Sequence, residues 1–218
     1  MNAKGVVGIA TGDTTKAIYE IVAQIHAAAP FPTENLQISA VDDYVGIEKG
    51  HIASCAERVR RQVQQPLGLR DDQLLLPERF SGTPQEVAAA YEAELNARGG
   101  VQVQFLGIGS DGHLGFCRPG TPLNSLAHAV LLPEDTRNML HQKYALEGDK
   151  LPAYGVTLGL MSMMRMPELV VIATGSKKAQ AVRQSICGEI TSDVPASVLQ
   201  LHPNVTWILD PEAAALLD

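Results

Sequence analysis

Five short apolar runs set the frame of this chain: "GVVGIA", "NLQISAV", "VQVQFLGI", "ELVVIAT" and "NVTWIL". Each is nearly continuous in apolar residues and bounded by turn residues, the pattern of a strand buried in a sheet. Segments of helical period lie between them. Ile18, Ile21, Val22 and Ile25 fall at helical spacing in the first, and Ile52, Cys55, Val59 and Val63 in a second, which Pro66 is expected to end. In "TPQEVAAAYEAELNARGG" the signals are fullest. Thr83 and Glu86 form a capping box, Pro84 takes the first helical position, Val87, Tyr91 and Leu95 make the apolar stripe, and Gly99 stops the helix. Strands alternating with helices predict an α/β protein, doubly wound around a mostly parallel open sheet with helices on both faces, a Rossmann-like arrangement of three layers. No repeat, low-complexity tract or linker interrupts residues 1–218, which read as one domain.

Composition narrows the function classes. The chain carries 17 Lys and Arg against 24 Asp and Glu, a net charge of -7, and no basic cluster, so the footprint of a nucleic-acid binder is missing. An acidic protein that binds an anion must do so with a local site. The three cysteines, Cys55, Cys117 and Cys187, are odd in number and far apart, which predicts free thiols in a reducing cytoplasm. The apolar run after "MNAK" meets Gly12 and Asp13 too early for a signal peptide, and no uncharged stretch reaches the ~18 residues of a membrane span. No His, Cys, Asp and Glu cluster has metal-ligand spacing.

Four polar loops follow the expected strands: "TGDTT" (Thr11–Thr15), "DDY" (Asp42–Tyr44), "GSDGH" (Gly109–His113) and "TGSKK" (Thr174–Lys178). All four are expected at the carboxyl ends of parallel strands, where open α/β sheets bind ligands. "TGDTT" and "TGSKKA" each combine a glycine, hydroxyl side chains and a helix start, which suits either a phosphate cradle or a plain helix cap. Lys178 favours phosphate, because a lysine in a first turn opposes the helix dipole unless a bound anion answers it. Asp13 opposes that reading unless its carboxylate points outward.

Asp42 and Asp43 are expected to end a buried strand, so at least one should be desolvated, with a pKa raised toward neutrality and suited to proton exchange. Asp43 reads rather as a capping or turn aspartate. In "GSDGH" the glycines allow close approach to a ligand, and Asp111 can orient or polarise His113.

These residues resemble the family of glucosamine-6-phosphate and galactosamine-6-phosphate deaminases, isomerases related to 6-phosphogluconolactonase. The likeness runs nearly end to end, through "IATGDTT", "VDDYVGI", "GIGSDGHLGF", "VTLGL", "TGSKKA" and "PASVLQLHPN". "QPLGLRDDQLL" and "VPASVLQLHPN" look especially like the galactosamine branch. The resemblance implies an enolisation mechanism with no metal or organic cofactor. Asp42 matches the acid/base that moves a proton between the sugar's C2 and C1. His113, held by Asp111, matches the group that opens the pyranose ring. Thr11, Gly12, Thr14 and Lys178 match the phosphate cradle, and Lys143 lies within one residue of a further basic contact.

Two departures stand out. Where the deaminases carry "FNEP", this chain reads "FCRP", so Arg118 replaces a carboxylate of the ring-opening relay. Asp13 stands where the family has a small residue. The resemblance further implies that a leading segment is missing before the first strand. It also implies that the chain, ending at Asp218, lacks the extension of the allosteric hexamers, so a monomer or small homo-oligomer without cooperativity is expected. Alternative readings are a 6-phosphogluconolactonase, using His113 as base for water attack, and a catalytically weak sugar-phosphate binder, favoured by Arg118.

Overall fold

The structure is a computed structural model that describes residues 5–217; residues 1–4 and 218, with the "MNAK" start and the final Asp218, lie outside it. All five expected strands form: β1 (Val6–Ile9), β2 (Gln37–Ala40), β5 (Val101–Gly107), β8 (Glu168–Ala173) and β9 (Val205–Leu209). With β4 (Leu74–Leu75) they make a six-stranded sheet in the order β4-β2-β1-β5-β8-β9. Every pair in it is parallel, from Val6 opposite Gln37 to Ala173 opposite Leu209.

Alternation along the strands divides the core between the two faces. Ile9, Ile38 and Leu74 pack with Tyr19 of the Asp13–Ala28 helix and with Ala56, Val59 and Val63. Val6, Leu75 and Leu106 pack on the other side with Val87, Tyr91 and Leu95 of the Pro84–Ala97 helix and Val182 of the Ala179–Cys187 helix. The capping box is formed in full, the Glu86 N–H donating to Thr83 Oγ1 at 3.3 Å and the Thr83 N–H to Glu86 Oε2 at 2.8 Å.

Three expectations need correction. The Asp42–Tyr44 segment is not a loop but a strand, β3, of a second, antiparallel sheet with β7 (Tyr154–Thr157) and β6 (His128–Leu131), in the order β3-β7-β6. The chain crosses at Val41, whose N–H donates to Ile9 O while its carbonyl accepts from the Leu158 N–H, both at 2.9 Å. Too few residues separate Ala40 from Asp42 for the sequence pattern to mark a change of sheet.

Pro66 does not end the second helix. Residues Cys55–Val59 pass through a π-helical turn, Arg60–Gln64, and continue to Leu67, and the chain turns at Gly68 with φ 63°. A widened turn redistributes the backbone bonds and so accommodates the missing proline N–H. Ile52 lies before this helix and is exposed.

In the first helix, Ile21 and Ile25 are 54% and 55% exposed, and the fully buried face is Thr15 and Tyr19. These two are drawn inward by hydrogen bonds as well as packing, since the Thr15 and Tyr19 hydroxyls both donate to Ala10 O at 2.8 Å.

Candidate active site

The strand order places a topological switch between β1 and β5, because the chain builds outward through β2 and β4 on one side and β8 and β9 on the other. Open α/β sheets leave a crevice at the carboxyl ends of such strands. A cleft of about 460 Å³ lies there, lined by Ala10–Thr15, Asp42, Tyr44, Cys55, Arg58, Gly107–Ser110, His113, Gly115, Phe116 and Lys178.

The turn after β1 leaves its helix start without a side-chain cap. Gly12 is the cap of the Asp13–Ala28 helix and is extended, with φ -74° and ψ 167°, and no side chain caps the first N–H groups. Those donors face the cleft at the positive end of the helix dipole. Asp13 occupies the first helical position and is itself among the lining residues, its side chain 93% exposed. Lys178 reaches the cleft from the Ser176–Lys178 turn after β8. That turn is pinned by the Gly175 N–H, which donates to both carboxylate oxygens of Asp210, at 3.0 and 2.9 Å. Burial holds the Lys178 ammonium below its usual range, against the pull of Asp111.

Lys143 is not among the lining residues. Its Nζ lies 3.6 Å from Asp13 Oδ1, so the two residues make an ion pair at the rim, between the first helix and the Glu134–Tyr144 helix.

The two aspartates of β3 are both buried, at 9% and 2% exposure, yet differ in their surroundings. Asp43 accepts the backbone N–H groups of Tyr44, Cys55 and Ala56 at 2.8–3.0 Å and the Ser54 hydroxyl at 3.4 Å. It anchors the start of the Cys55–Val59 helix and is absent from the cleft lining. Asp42 faces the cleft and accepts one bond, from the Cys55 thiol at 3.4 Å. Burial pushes both carboxyls up to about 6, opposed at Asp42 by Cys55 and Arg58 and at Asp43 by its backbone donors.

Asp111 Oδ1 lies 2.6 Å from His113 Nδ1 and accepts the His113 N–H at 3.2 Å. This bond leaves Nε2 as the nitrogen available to a ligand. Burial pushes the Asp111 carboxyl up, but the adjoining His113 and its donors outweigh that and hold it below the usual range. Gly109 is required here, since a Cβ would collide with the His113 ring and the Asp111 carboxylate. Arg118 Nη2 is 3.7 Å from Asp111 Oδ2, while the same guanidinium pairs with Asp135.

A family model described as glucosamine-6-phosphate isomerases/6-phosphogluconolactonase matches residues 2–207. The chain belongs to this family. Among curated members of the glucosamine-6-phosphate isomerase/6-phosphogluconolactonase family, it is 32% identical to a glucosamine-6-phosphate deaminase of Thermoanaerobacter pseudethanolicus, over 97% of this chain and 83% of the relative. It is 36% identical to a glucosamine-6-phosphate deaminase of Streptomyces coelicolor, over 96% of this chain and 80% of the relative. The solved structure of a monomeric glucosamine-6-phosphate deaminase superposes with a TM-score of 0.89 at 30% identity, covering 97% of this chain and 88% of that one. The 6-phosphogluconolactonase of Trypanosoma cruzi shares the fold, with a TM-score of 0.76 at 18% identity over 99% and 85% of the two chains.

Arg58 and Cys55 are cleft residues that sequence reasoning missed. Arg58 donates to the carbonyls of Thr11 and Ala53, each at 3.0 Å, and to Cys55 Sγ at 3.4 Å. In the sequence Cys55 reads as one member of an apolar stripe, and nothing in the local pattern singles out Arg58. Only the packing of this helix against β1 and β3 reveals otherwise. Among the described residues no group of three or more His, Cys, Asp and Glu is arranged to hold a metal ion, and no helix is long and apolar enough to cross a membrane.

Proposed function

We propose that this protein is an aldose–ketose isomerase and deaminase of a hexosamine 6-phosphate, releasing a ketose 6-phosphate and ammonia. The observation that carries the reading is the meeting, in one cleft, of an uncapped helix start with Lys178, a buried carboxylate at Asp42 and the Asp111–His113 pair. The phosphate takes the free N–H groups after Gly12, the hydroxyls of Thr11 and Thr14, and Lys178. Lys143 joins it from the rim after leaving Asp13. His113, oriented by Asp111, moves the proton that opens the pyranose ring. Asp42 takes the proton from C2 to give an enolamine and returns it to C1. The resulting C2 imine is hydrolysed to the ketone and ammonia. A carboxyl raised to about 6 is matched to this exchange, being ionised at neutral pH yet basic enough to take a carbon-bound proton.

The lactonase reading has weaker support, because the relatives of comparable length that reach 30–36% identity are named deaminases, whereas the T. cruzi lactonase is 18% identical. A cytoplasmic monomer or small homo-oligomer accompanies the proposal, supported by the likeness to a deaminase described as monomeric. Incubation with glucosamine-6-phosphate, galactosamine-6-phosphate and 6-phosphogluconolactone separately, following ammonia and acid release, tests the reading. Ammonia from one or both hexosamines is expected. Acid release from the lactone alone would overturn the assignment.

A further inference from the structure

Asp42 has a neighbour that no step of the proposed reaction uses. The Cys55 Sγ lies 3.4 Å from Asp42 Oδ1, and both side chains are buried. Burial pushes the thiol well above its ordinary range, so the sulfur keeps its hydrogen and donates while the carboxylate accepts. Behind the sulfur stands Arg58 Nη2, also at 3.4 Å. That guanidinium is itself fixed by the Thr11 and Ala53 carbonyls. One half-buried cation is therefore tied both to the backbone of the anion-binding turn and to the sulfur that holds the carboxylate.

The second oxygen of Asp42 has different surroundings. Gly115 has φ 55°, and a Cβ there would stand 3.2 Å from Asp42 Oδ2. Glycine leaves the approach to Oδ2 clear on the cleft side. A carboxylate that moves a proton between adjacent carbons must keep one lone pair aimed at both, and a free swing of its terminal torsion would lose that aim.

We propose that Cys55, backed by Arg58, is a positioning residue: its thiol holds Asp42 Oδ1 so that Oδ2 is the oxygen that exchanges the substrate proton. The proposal rests on Asp42 being the enolisation base. Other groups that bear on Asp42 are Asp43 and Tyr44 on its own strand, Tyr91 from the Pro84–Ala97 helix and Cys117 from the turn after β5. Among the described residues Cys55 alone makes a hydrogen bond to it.

The test uses protein labelled with 13C at the aspartate carboxyls, the Asp42 resonance being identified by its loss in Asp42→Asn. In Cys55→Ala the Asp42 titration midpoint should rise by roughly half a pH unit, as the charged form loses a weak donor. Cys55→Ser, which keeps a donor, should return it toward the wild-type value. In parallel, solvent-deuterium exchange at C2 of the hexosamine phosphate should slow by roughly 10- to 100-fold in Cys55→Ala with KM little changed, and recover in Cys55→Ser. Superimposed titrations for wild type and Cys55→Ala, or equal defects in the Ala and Ser variants, would overturn the positioning role. Undiminished C2 exchange in Asp42→Asn would instead refute the base assignment, and that outcome is separable because the NMR titration does not depend on turnover.

Discussion

Arg118 and Asp135 form a two-pronged ion pair, with Nη1 donating to Oδ1 at 3.2 Å and Nη2 to Oδ2 at 3.0 Å. The pair joins the turn after β5 to the first turn of the Glu134–Tyr144 helix and brings a cation within 3.7 Å of Asp111. Arg118 is thus already answered by a carboxylate and is not presented as a free receptor for a second anion. In the proposed relay it stands beside the Asp111–His113 pair, 3.7 Å from the Asp111 carboxylate. Arg118→Glu should raise ammonia release from the closed-ring hexosamine phosphate by about 10²-fold, the lower range for a positioned acid–base group. Steady-state kinetics of the two proteins decide this, and unchanged turnover would place Arg118 outside the relay.

Asp42→Asn should abolish C2 deuterium exchange while leaving sugar-phosphate affinity within a few-fold. In the wild type, turnover should fall as pH drops through about 6, because protonation removes the base. Stability should move the other way. A carboxyl raised from 3.8 to about 6 in the folded state favours folding fully below about 4, and that contribution is lost as pH rises through 6. Asp42→Asn should therefore be more stable than wild type at pH 7.5, by on the order of 3 kcal/mol, with the difference vanishing near pH 4. Urea unfolding at the two pH values measures it.

Lys178→Ala should weaken sugar-phosphate binding by about 1.5–3 kcal/mol, the range of a hydrogen bond to a charged group. Asp13→Ala should act oppositely, releasing Lys143 from its 3.6 Å ion pair and tightening phosphate affinity. Both pair members are at least half exposed, so the gain should be small and should disappear at high salt. Calorimetric titration at low and high ionic strength separates the two lysines.

Gly109→Ala should cost nearly all turnover without unfolding the chain, because its new methyl displaces the His113 ring and the Asp111 carboxylate from each other. Phosphate affinity, assigned in the proposal to the turn after β1 and to Lys178, should survive. A variant with normal ammonia release would show that the 2.6 Å Asp111–His113 contact is dispensable.

Thr83→Ala removes one half of the capping box at the Pro84–Ala97 helix, remote from the cleft. A loss of about 0.5–2 kcal/mol in chemical unfolding, with unchanged kinetics, is expected.

The sequence by itself determined the elements with strong local signals. β1, β2, β5, β8 and β9 are short apolar runs bounded by turn residues, although β9 lies at the sheet edge with Ile208 48% exposed rather than in its interior, and the Pro84–Ala97 helix carries its cap, first-turn proline and stripe in adjacent residues. The Asp111–His113 pair was legible for the same reason: two residues apart, flanked by glycines, they meet through local backbone geometry alone. What only the tertiary structure decided depends on contacts between distant segments. The strand order that opens the crevice between β1 and β5 follows from long-range pairing, which no local pattern encodes. Asp42 and Asp43 are adjacent and chemically identical, and alternation on a strand of the second sheet sends one to the cleft and the other to a helix start. Arg58 and Cys55 acquired their place in the same way, for a guanidinium without a local signal and a thiol in an apolar stripe join a site only when their helix is docked against Thr11 and Asp42, 47 and 13 residues earlier in the chain.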